Sequence, residues 1–293
     1  MITAEPQPRK AALWMLGAIA SFSSMAVAGR EVQVELDTFE LMLYRSLVGF
    51  AIVLAVGGAA GALRQVTLRR MGLQTVRNIS HFTGQNLWFF AIASIPLAQV
   101  FALEFTSPLW VALLAPLVLN ERLTRTRALA AAVGFVGILI VARPDPAHLE
   151  PGTLAAAGAA VGFAGSAVFT KRLTRTETIT CILFWLTLMQ AAFGLICAGL
   201  DGDVALPSPA MLPWLAVIGC AGLSAHFCLT RALSVAPAII VMPMDFARLP
   251  VIAVIGMLFY GEPLVAAVFA GAALILGANY INIWLETRKP RAA

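Results

Sequence analysis

One otherwise apolar stretch of the chain carries four side chains that can hydrogen-bond or stack on a ligand. They are Asn78, His81, Gln85 and Trp88. Their separations of three, four and three residues place them on one face of an α-helix. In a similar stretch later in the chain, His226 stands at the position that corresponds to Gln85. Buried polar groups cost free energy without a partner. We therefore expect this face to line a cavity for a polar ligand, although polar packing between helices would give the same pattern.

Charged residues also interrupt apolar stretches. Glu104 and Asp245 are the acidic ones, and Arg248 follows Asp245 by three residues, within reach on a helix. Arg45 is the cation that we expect beside Glu104. Two interpretations remain open: ion pairs that only neutralise buried charge, or groups that contact a charged substrate or a coupling proton. We expect a functional Glu104 with Arg45 and a structural Asp245–Arg248 pair, and charges of both signs suit a zwitterionic substrate.

Aromatic side chains in the same stretches could form the apolar walls of such a cavity. The candidates are Phe101, Phe105, Trp110, Phe163 and Trp185, to which the apolar side chains of Met242 and Met244 are added. Each of them alone is more typical of core packing or of contact with lipid than of a cavity wall. Catalysis is not indicated, because the chain has 3 histidines and contains no HExxH, P-loop or GxSxG motif. We predict a protein that binds a small molecule without a catalytic residue, a cofactor or a metal site.

The elements that hold these residues belong to a duplicated unit. Glu121 and Glu262 mark the same point in two copies that are 141 residues apart, and this offset needs no gap. It also aligns Glu104 with Asp245. Internal duplication of an apolar unit is typical of membrane transporters. The same offset pairs Pro96 with Pro237, Phe105 with Phe246, Phe22 with Phe163, and Leu123 with Leu264.

The composition requires a membrane. The 293 residues are 60% hydrophobic and 12% charged, with a mean hydropathy of +0.87, whereas soluble domains carry about 25% charged residues. A helix needs about 20 apolar residues to cross the hydrocarbon core. We predict an all-α integral membrane fold with ten transmembrane helices. The ten stretches are 11–29, 39–61, 73–93, 95–119, 127–143, 152–171, 178–200, 211–235, 237–260 and 264–285.

Each copy holds five of these stretches, so we predict two five-helix repeats, at 1–143 and 144–293. An odd number of spans inverts the second repeat relative to the first, which gives alternating access a structural basis. Arginine and lysine gather in the connections on the side of the N-terminus, while the opposite connections are mainly acidic. Both termini are therefore expected in the cytoplasm, with the protein in the inner membrane.

Small residues at four-residue spacing occur in spans five and ten. They are Ala130 and Gly134, and Ala267 and Gly271. This spacing is typical of close helix packing. The protein is expected to be a monomer, or a homodimer formed through these two spans.

Short motifs at the ends of spans four and nine resemble a known family. They are Ile95-Pro96 and Ala236-Pro237, then Asn120-Glu121-Arg122-Leu123 and Gly261-Glu262-Pro263-Leu264. The chain is similar to the drug/metabolite transporter superfamily, in its ten-span form with two EamA-type repeats. Within it, the ungapped layout looks most like bacterial amino-acid exporters. The resemblance implies a central cavity between spans three, four, eight and nine.

These observations lead to one predicted function with open alternatives. We expect an inner-membrane secondary transporter that exports amino acids, including aromatic ones, or similar small zwitterionic metabolites. The alternatives are an exporter of cationic or aromatic drugs, or a membrane-embedded enzyme. The partners are a small-molecule substrate and membrane lipid, without nucleic acid. The predicted substrate-binding residues are Arg45, Asn78, His81, Gln85, Trp88, Phe101, Glu104, Phe105, Phe163, Trp185, His226, Asp245 and Arg248.

Overall fold

A computed structural model describes most of the chain. The described residues are 6–120, 125–142, 150–200, 202, 204–263, 266–267, 269–271, 273–274, 277 and 281. Every regular element within them is helical. The elements are α1 (Pro8–Val32), α2 (Thr38–Ala59), α3 (Met71–Ser94), α4 (Leu97–Glu104), α5 (Ser107–Leu119), α6 (Arg125–Ala142), α7 (Pro151–Leu173), α8 (Ile179–Ala198), α9 (Leu212–Val235), α10 (Ala238–Met244) and α11 (Arg248–Tyr260).

Seven helical segments in this part of the chain are long and apolar enough to cross a membrane. They are α1, α2, α4 with α5, α7, α8, α9 and residues 240–260. Helix α3 has 24 residues but is more polar, because it carries the face with Asn78 and His81. The tenth predicted span, 264–285, lies largely outside the described residues. The all-α membrane fold is thus confirmed.

Spans four and nine differ from the prediction because each is broken. Helix α4 ends at Glu104 and α5 begins at Ser107. Pro108 has no N–H to donate to the carbonyl of Glu104, which favours a break at this point. In the second repeat, α10 ends at Met244, and Asp245–Ala247 form one 3₁₀ turn before α11. Glu104 and Asp245 therefore lie at equivalent breaks in the two repeats.

The helices of the two repeats pack reciprocally. The most extensive contacts are α1 on α9, α7 on α3, and α2 on α8. Helices α1 and α7 are equivalent in the repeat, as are α3 and α9, so the first two contacts are one interface formed twice. Small residues permit this approach: a Cβ on Gly162 of α7 would lie 2.7 Å from the Cα of Gly84 of α3. Such exchange is expected of two copies related by an approximate two-fold axis.

Candidate functional site

A cavity lies between α1, α3, α7 and α9, next to both broken helices. Its volume is about 50 Å³, room for a few water molecules. Repeat-equivalent residues line it from both sides, so it lies on the approximate two-fold axis. The equivalent lining pairs are Phe22 and Phe163, Met25 and Ser166, Gln85 and His226, Trp88 and Leu229, Glu104 and Asp245, and Ser107 and Arg248.

A charged cluster occupies the side of the cavity at the breaks. Arg248 donates from Nη2 to Glu104 Oε1 at 2.5 Å and to Asp245 Oδ2 at 2.6 Å. The indole of Trp88 donates to Glu104 Oε2 at 2.7 Å. All four side chains are buried. One cation thus lies between two carboxylates from different repeats, and Asp245 Oδ1 accepts no hydrogen bond from the described residues.

This cluster corrects one expected pairing. The Asp245–Arg248 pair is confirmed, but Glu104 pairs with Arg248 and not with Arg45. The ring of Phe101 contributes to the site by lying under the Arg248 guanidinium, 4.6 Å from ring centroid to Cζ. The rings of Phe22 and Phe105 lie at 5.0 and 5.5 Å from the same carbon. Cation–π contact of this kind stabilises a buried guanidinium.

Two histidines face each other across the cavity. The ring centroids of His81 and His226 are 4.5 Å apart, with the rings edge to face. The Nε2 atoms of both rings are buried and lack a hydrogen-bond partner among the described residues, as does Gln85 Nε2. Phe22 meets His226 edge to face at 5.6 Å. A buried polar atom without a partner is costly, so these three nitrogens, together with Asp245 Oδ1, are available to bind a ligand.

Two buried arginines without an acidic partner among the described residues lie near the histidines. Arg77 lines the cavity and donates to Thr170 Oγ1 and Asn78 Oδ1, both at 3.0 Å. Arg45 donates to the sulfur of Met42 at 3.2 Å. Arg45 lines a second small space of about 20 Å³, and His226 lines both this space and the main cavity. From the charge pattern we would group Arg77 with the basic connection before span three, although it lies within the predicted stretch 73–93 and four residues before His81, on the same helical face.

The remaining predicted residues lie at different distances from the cavity. Asn78 lies behind the lining, where its Oδ1 accepts from Arg77 and Gln190. Phe105 packs on Phe246 with ring centroids 5.0 Å apart. The structure does not bring Trp185 to the cavity: its indole donates to the carbonyl of Thr67 in the connection before α3. Sequence reasoning gave no site role to Met15, Ser107, Thr170 or Thr230, which also line the cavity and have no distinctive spacing.

Substitution of Gly222 directly tests the space around Arg45. A Cβ at this position would lie 2.6 Å from Arg45 Nε, so Gly222→Ala must displace the guanidinium. We expect a loss of transport of about tenfold, the scale of one charged hydrogen bond, with a normal yield of folded protein. Gly72→Ala is the matched control, because its Cβ would meet nothing within 4 Å. Equal flux in both variants would leave Arg45 with a packing role only.

The matches to known proteins cover nearly the whole chain. Residues 9–143 and 150–284 each match the model of the EamA-like transporter family. The riboflavin transporter of Vibrio cholerae is 28% identical over 97% of this chain and 96% of its own length. The riboflavin transporter of Brucella anthropi is 35% identical over 78% of this chain and 82% of its own.

Another relative is named for a different substrate. The S-adenosylmethionine uptake transporter of Rickettsia felis is 24% identical over 94% of this chain and 92% of its own. A protein of known crystal structure superposes with a TM-score of 0.75 at 20% identity, over 95% of this chain and 98% of that one, and shows the same fold. These names do not support the prediction of amino-acid export.

Proposed function

Because the chain belongs to the EamA-like transporter family, we propose that it carries riboflavin, or a metabolite built like it, by alternating access of the central cavity. It is a secondary transporter with two EamA repeats, and the family is not one of enzymes. Two relatives named riboflavin transporters, at 28% and 35% identity, support this substrate class. The question for the site is whether its chemistry suits a flat ring system with polar edges.

The lining of the cavity combines aromatic rings with unpartnered nitrogens, and this combination carries the proposal. Phe22, Trp88 and Phe163 supply rings, and His81, Gln85 and His226 supply buried nitrogens without partners among the described residues. Riboflavin has a flat ring system with carbonyl oxygens and ring nitrogens at its edge. Aromatic walls favour stacked or edge-on contact with such rings, while imidazole and amide groups complete the hydrogen bonds at the edge.

The volume of the cavity supports a conformational cycle. About 50 Å³ is too small for a tricyclic molecule, since drug-sized ligands occupy pockets of about 300–1,000 Å³. The rings of His81 and His226, 4.5 Å apart, fill the space that a ligand would need. Substrate entry therefore requires the helices that carry them, α3 and α9, to separate. Two inverted repeats around one central site can provide that motion by opening on alternate faces.

A second candidate substrate is a zwitterion with an amino-acid group, such as S-adenosylmethionine or an aromatic amino acid. The separation of charge around the cavity favours it. Arg45 and Arg77 have no acidic partner among the described residues, whereas Glu104 and Asp245 share the single cation Arg248. A carboxylate would suit the arginines, and an amine or sulfonium would suit the shared carboxylates. The relative named an S-adenosylmethionine uptake transporter supports this candidate.

We propose the following arrangement in the cell on the basis of the charge pattern. Both termini lie in the cytoplasm and the protein resides in the bacterial inner membrane, because basic connections remain on the cytoplasmic side. The repeats divide the chain into 1–143 and 144–293.

A homodimer through spans five and ten stays a prediction. Gly134, one of the small residues of these spans, lies close to Phe246: a Cβ added to Gly134 would lie 3.6 Å from the phenyl ring. The structure does not describe the side chain of Ala130.

Flux into proteoliposomes tests the substrate and the site together. We expect saturable riboflavin flux that falls by about tenfold in His81→Ala, because a ligand hydrogen bond in a buried site is lost. Ile79→Ala is the matched control, since Ile79 lies on the same helix and is 52% exposed. Faster flux of S-adenosylmethionine or phenylalanine than of riboflavin would support the second candidate. The cavity assignment would fail if His81→Ala and Ile79→Ala carried equal flux.

A further inference from the structure

A groove lined by four arginines lies where α3 begins and α7 ends, and we call it the arginine groove. Its volume is about 510 Å³, within the range of ligand pockets. It shares no lining residue with the central cavity. The arginines are Arg69 and Arg70, just before α3, and Arg172 and Arg175, around the end of α7. Since α3 and α7 belong to different repeats, the groove joins the two repeats at one end of the bundle.

Two of these cations are free to bind an anion. The side chains of Arg70 and Arg172 are exposed and have neither an ion pair nor a hydrogen bond among the described residues. The other two are partly satisfied: Arg69 pairs with Glu177 at 3.2 Å, and Arg175 donates to the last carbonyl of α5 at 2.8 Å. In the described part of the chain, one paired carboxylate thus faces four arginines, which leaves an excess of three positive charges in the groove.

The floor of the groove is apolar. Leu73 and Val76 on α3 and Phe169 on α7 line it one or two turns deeper than the arginines. Val76 is 46% exposed, and Ile79, 52% exposed, continues this side of α3 by a further turn. A phospholipid presents an acyl chain beside its charged headgroup, and this chain matches such a floor. A soluble anion has no apolar part to place there.

The fold alone does not require this groove to be basic. At the 141-residue offset, the equivalent positions at the opposite end of the bundle hold Glu31, Val34, Ala210 and Met211. Basic connections are typical of the cytoplasmic side, and Arg9 and Arg64 follow that rule at the same end as the groove without lining it. The convergence of four arginines on one groove is therefore a feature beyond the general charge bias of this end.

We propose that the arginine groove binds the headgroup of an anionic phospholipid, with an acyl chain on the apolar floor. Guanidinium groups bind phosphate oxygens in bidentate pairs, and basic residues at a membrane surface attract anionic lipids. A headgroup held by Arg70 and Arg172 bridges the two repeats, because Arg70 belongs to the first and Arg172 to the second. The bound lipid then stabilises the packing of α3 on α7, whichever substrate the central cavity takes.

Lipid binding by the purified full-length protein tests the proposal. Native mass spectrometry of the delipidated protein in detergent, titrated with phosphatidylglycerol or with phosphatidylcholine, counts the bound lipids at each concentration. We expect about tenfold tighter binding of phosphatidylglycerol, since each basic residue near an anionic headgroup contributes roughly a factor of five. Phosphatidylglycerol should also raise the midpoint of thermal unfolding, and phosphatidylcholine should not.

A pair of double variants separates the groove from the general charge of this end. Arg70→Gln with Arg172→Gln removes the two unpaired cations, and it should weaken phosphatidylglycerol binding by about tenfold and remove the rise in the unfolding midpoint. Arg9→Gln with Arg64→Gln is the matched control, because it removes the same charge from exposed positions at the same end but outside the groove. Its binding should fall by less than about twofold. The single variants Arg70→Gln and Arg172→Gln serve if the double variant does not fold.

A larger loss in the groove variant than in the control would support the site. Equal losses in the two double variants would mean that the lipid responds only to the net charge of this end, and would overturn the proposal. Protection against thermal unfolding by inorganic phosphate or glycerol 3-phosphate, equal to that by phosphatidylglycerol at the same concentration, would assign the groove to a soluble anion and overturn the lipid assignment. Neither readout depends on riboflavin transport.

Discussion

Arg248→Met is expected to destabilise the folded protein more than any other single change at the site. Arg248 is 2% exposed and bonds both Glu104 and Asp245. Without it, two carboxylates remain buried beside each other with no cation among the described residues. Removing one member of a buried ion pair costs roughly 3–5 kcal/mol. Thermal unfolding of the detergent-purified protein, followed by size-exclusion chromatography, measures the loss.

A matched triple variant separates charge from packing. If the cost arises from uncompensated charge, Arg248→Met combined with Glu104→Gln and Asp245→Asn should recover most of the lost stability, because neutral groups cost less to bury. If the cost arises from the packing of the guanidinium between Phe22, Phe101 and Phe105, the triple variant should be as unstable as the single one. Wild-type stability in Arg248→Met alone would contradict the pairing itself.

The architecture was predictable because membrane burial leaves a strong signal in sequence. Apolar stretches of about 20 residues are required by the hydrocarbon thickness, and an ungapped duplication specifies the number of helices per repeat. The breaks in spans four and nine were missed because they do not change hydropathy. Pro108 carried the local signal, since it removes the N–H that would bond Glu104, but prolines also occur within continuous membrane helices, as Pro116 does in α5.

The helices that line the site were predictable from the sequence, whereas the ion pairs within it were less predictable. The spacing of His81, Gln85 and Trp88 predicted a cavity face because helical periodicity is local. The Glu104–Arg248 pair joins residues 144 positions apart, and no local pattern indicates which of the three buried arginines a carboxylate will meet. Trp185 was indistinguishable from the cavity aromatics because aromatic residues also favour core and interface positions in membrane proteins.

The substrate was the least predictable property, for a physical reason. Buried charges of both signs favoured a zwitterion, but Arg248 neutralises part of the acidic charge within the protein. Which groups remain to bind a ligand depends on geometry. Among the described residues, the Nε2 nitrogens of His81 and His226 have no hydrogen-bond partner, and Arg45 and Arg77 have no acidic partner. Arg77 shows the difficulty most clearly. The charge pattern grouped it with the basic connection before span three, whereas it is 1% exposed inside α3, where Thr170 and Asn78 satisfy part of its guanidinium.

Glu104→Gln is expected to abolish most of the transport with little loss of stability. Glu104 in α4 receives Arg248 from the second repeat and Trp88 from α3, so it joins the two broken helices at the cavity wall. Glutamine keeps one oxygen as an acceptor, but its NH₂ group would face an N–H donor of either Arg248 or Trp88. We expect a drop in flux of about tenfold or more, since one charge-assisted hydrogen bond is lost. Asp245 still pairs with Arg248, so the protein should remain folded.

Asp245→Asn is the matched comparison, because Asp245 occupies the equivalent break and shares the same guanidinium. It lies three residues from Arg248 in the same repeat, so its loss leaves the contact between the repeats intact. We therefore expect a smaller loss of flux for Asp245→Asn than for Glu104→Gln, at comparable expression and thermal stability. Flux of the transported substrate into proteoliposomes, normalised to folded protein, measures both. Full transport by Glu104→Gln at normal expression would mean that the contact between the repeats at Glu104 only stabilises the fold.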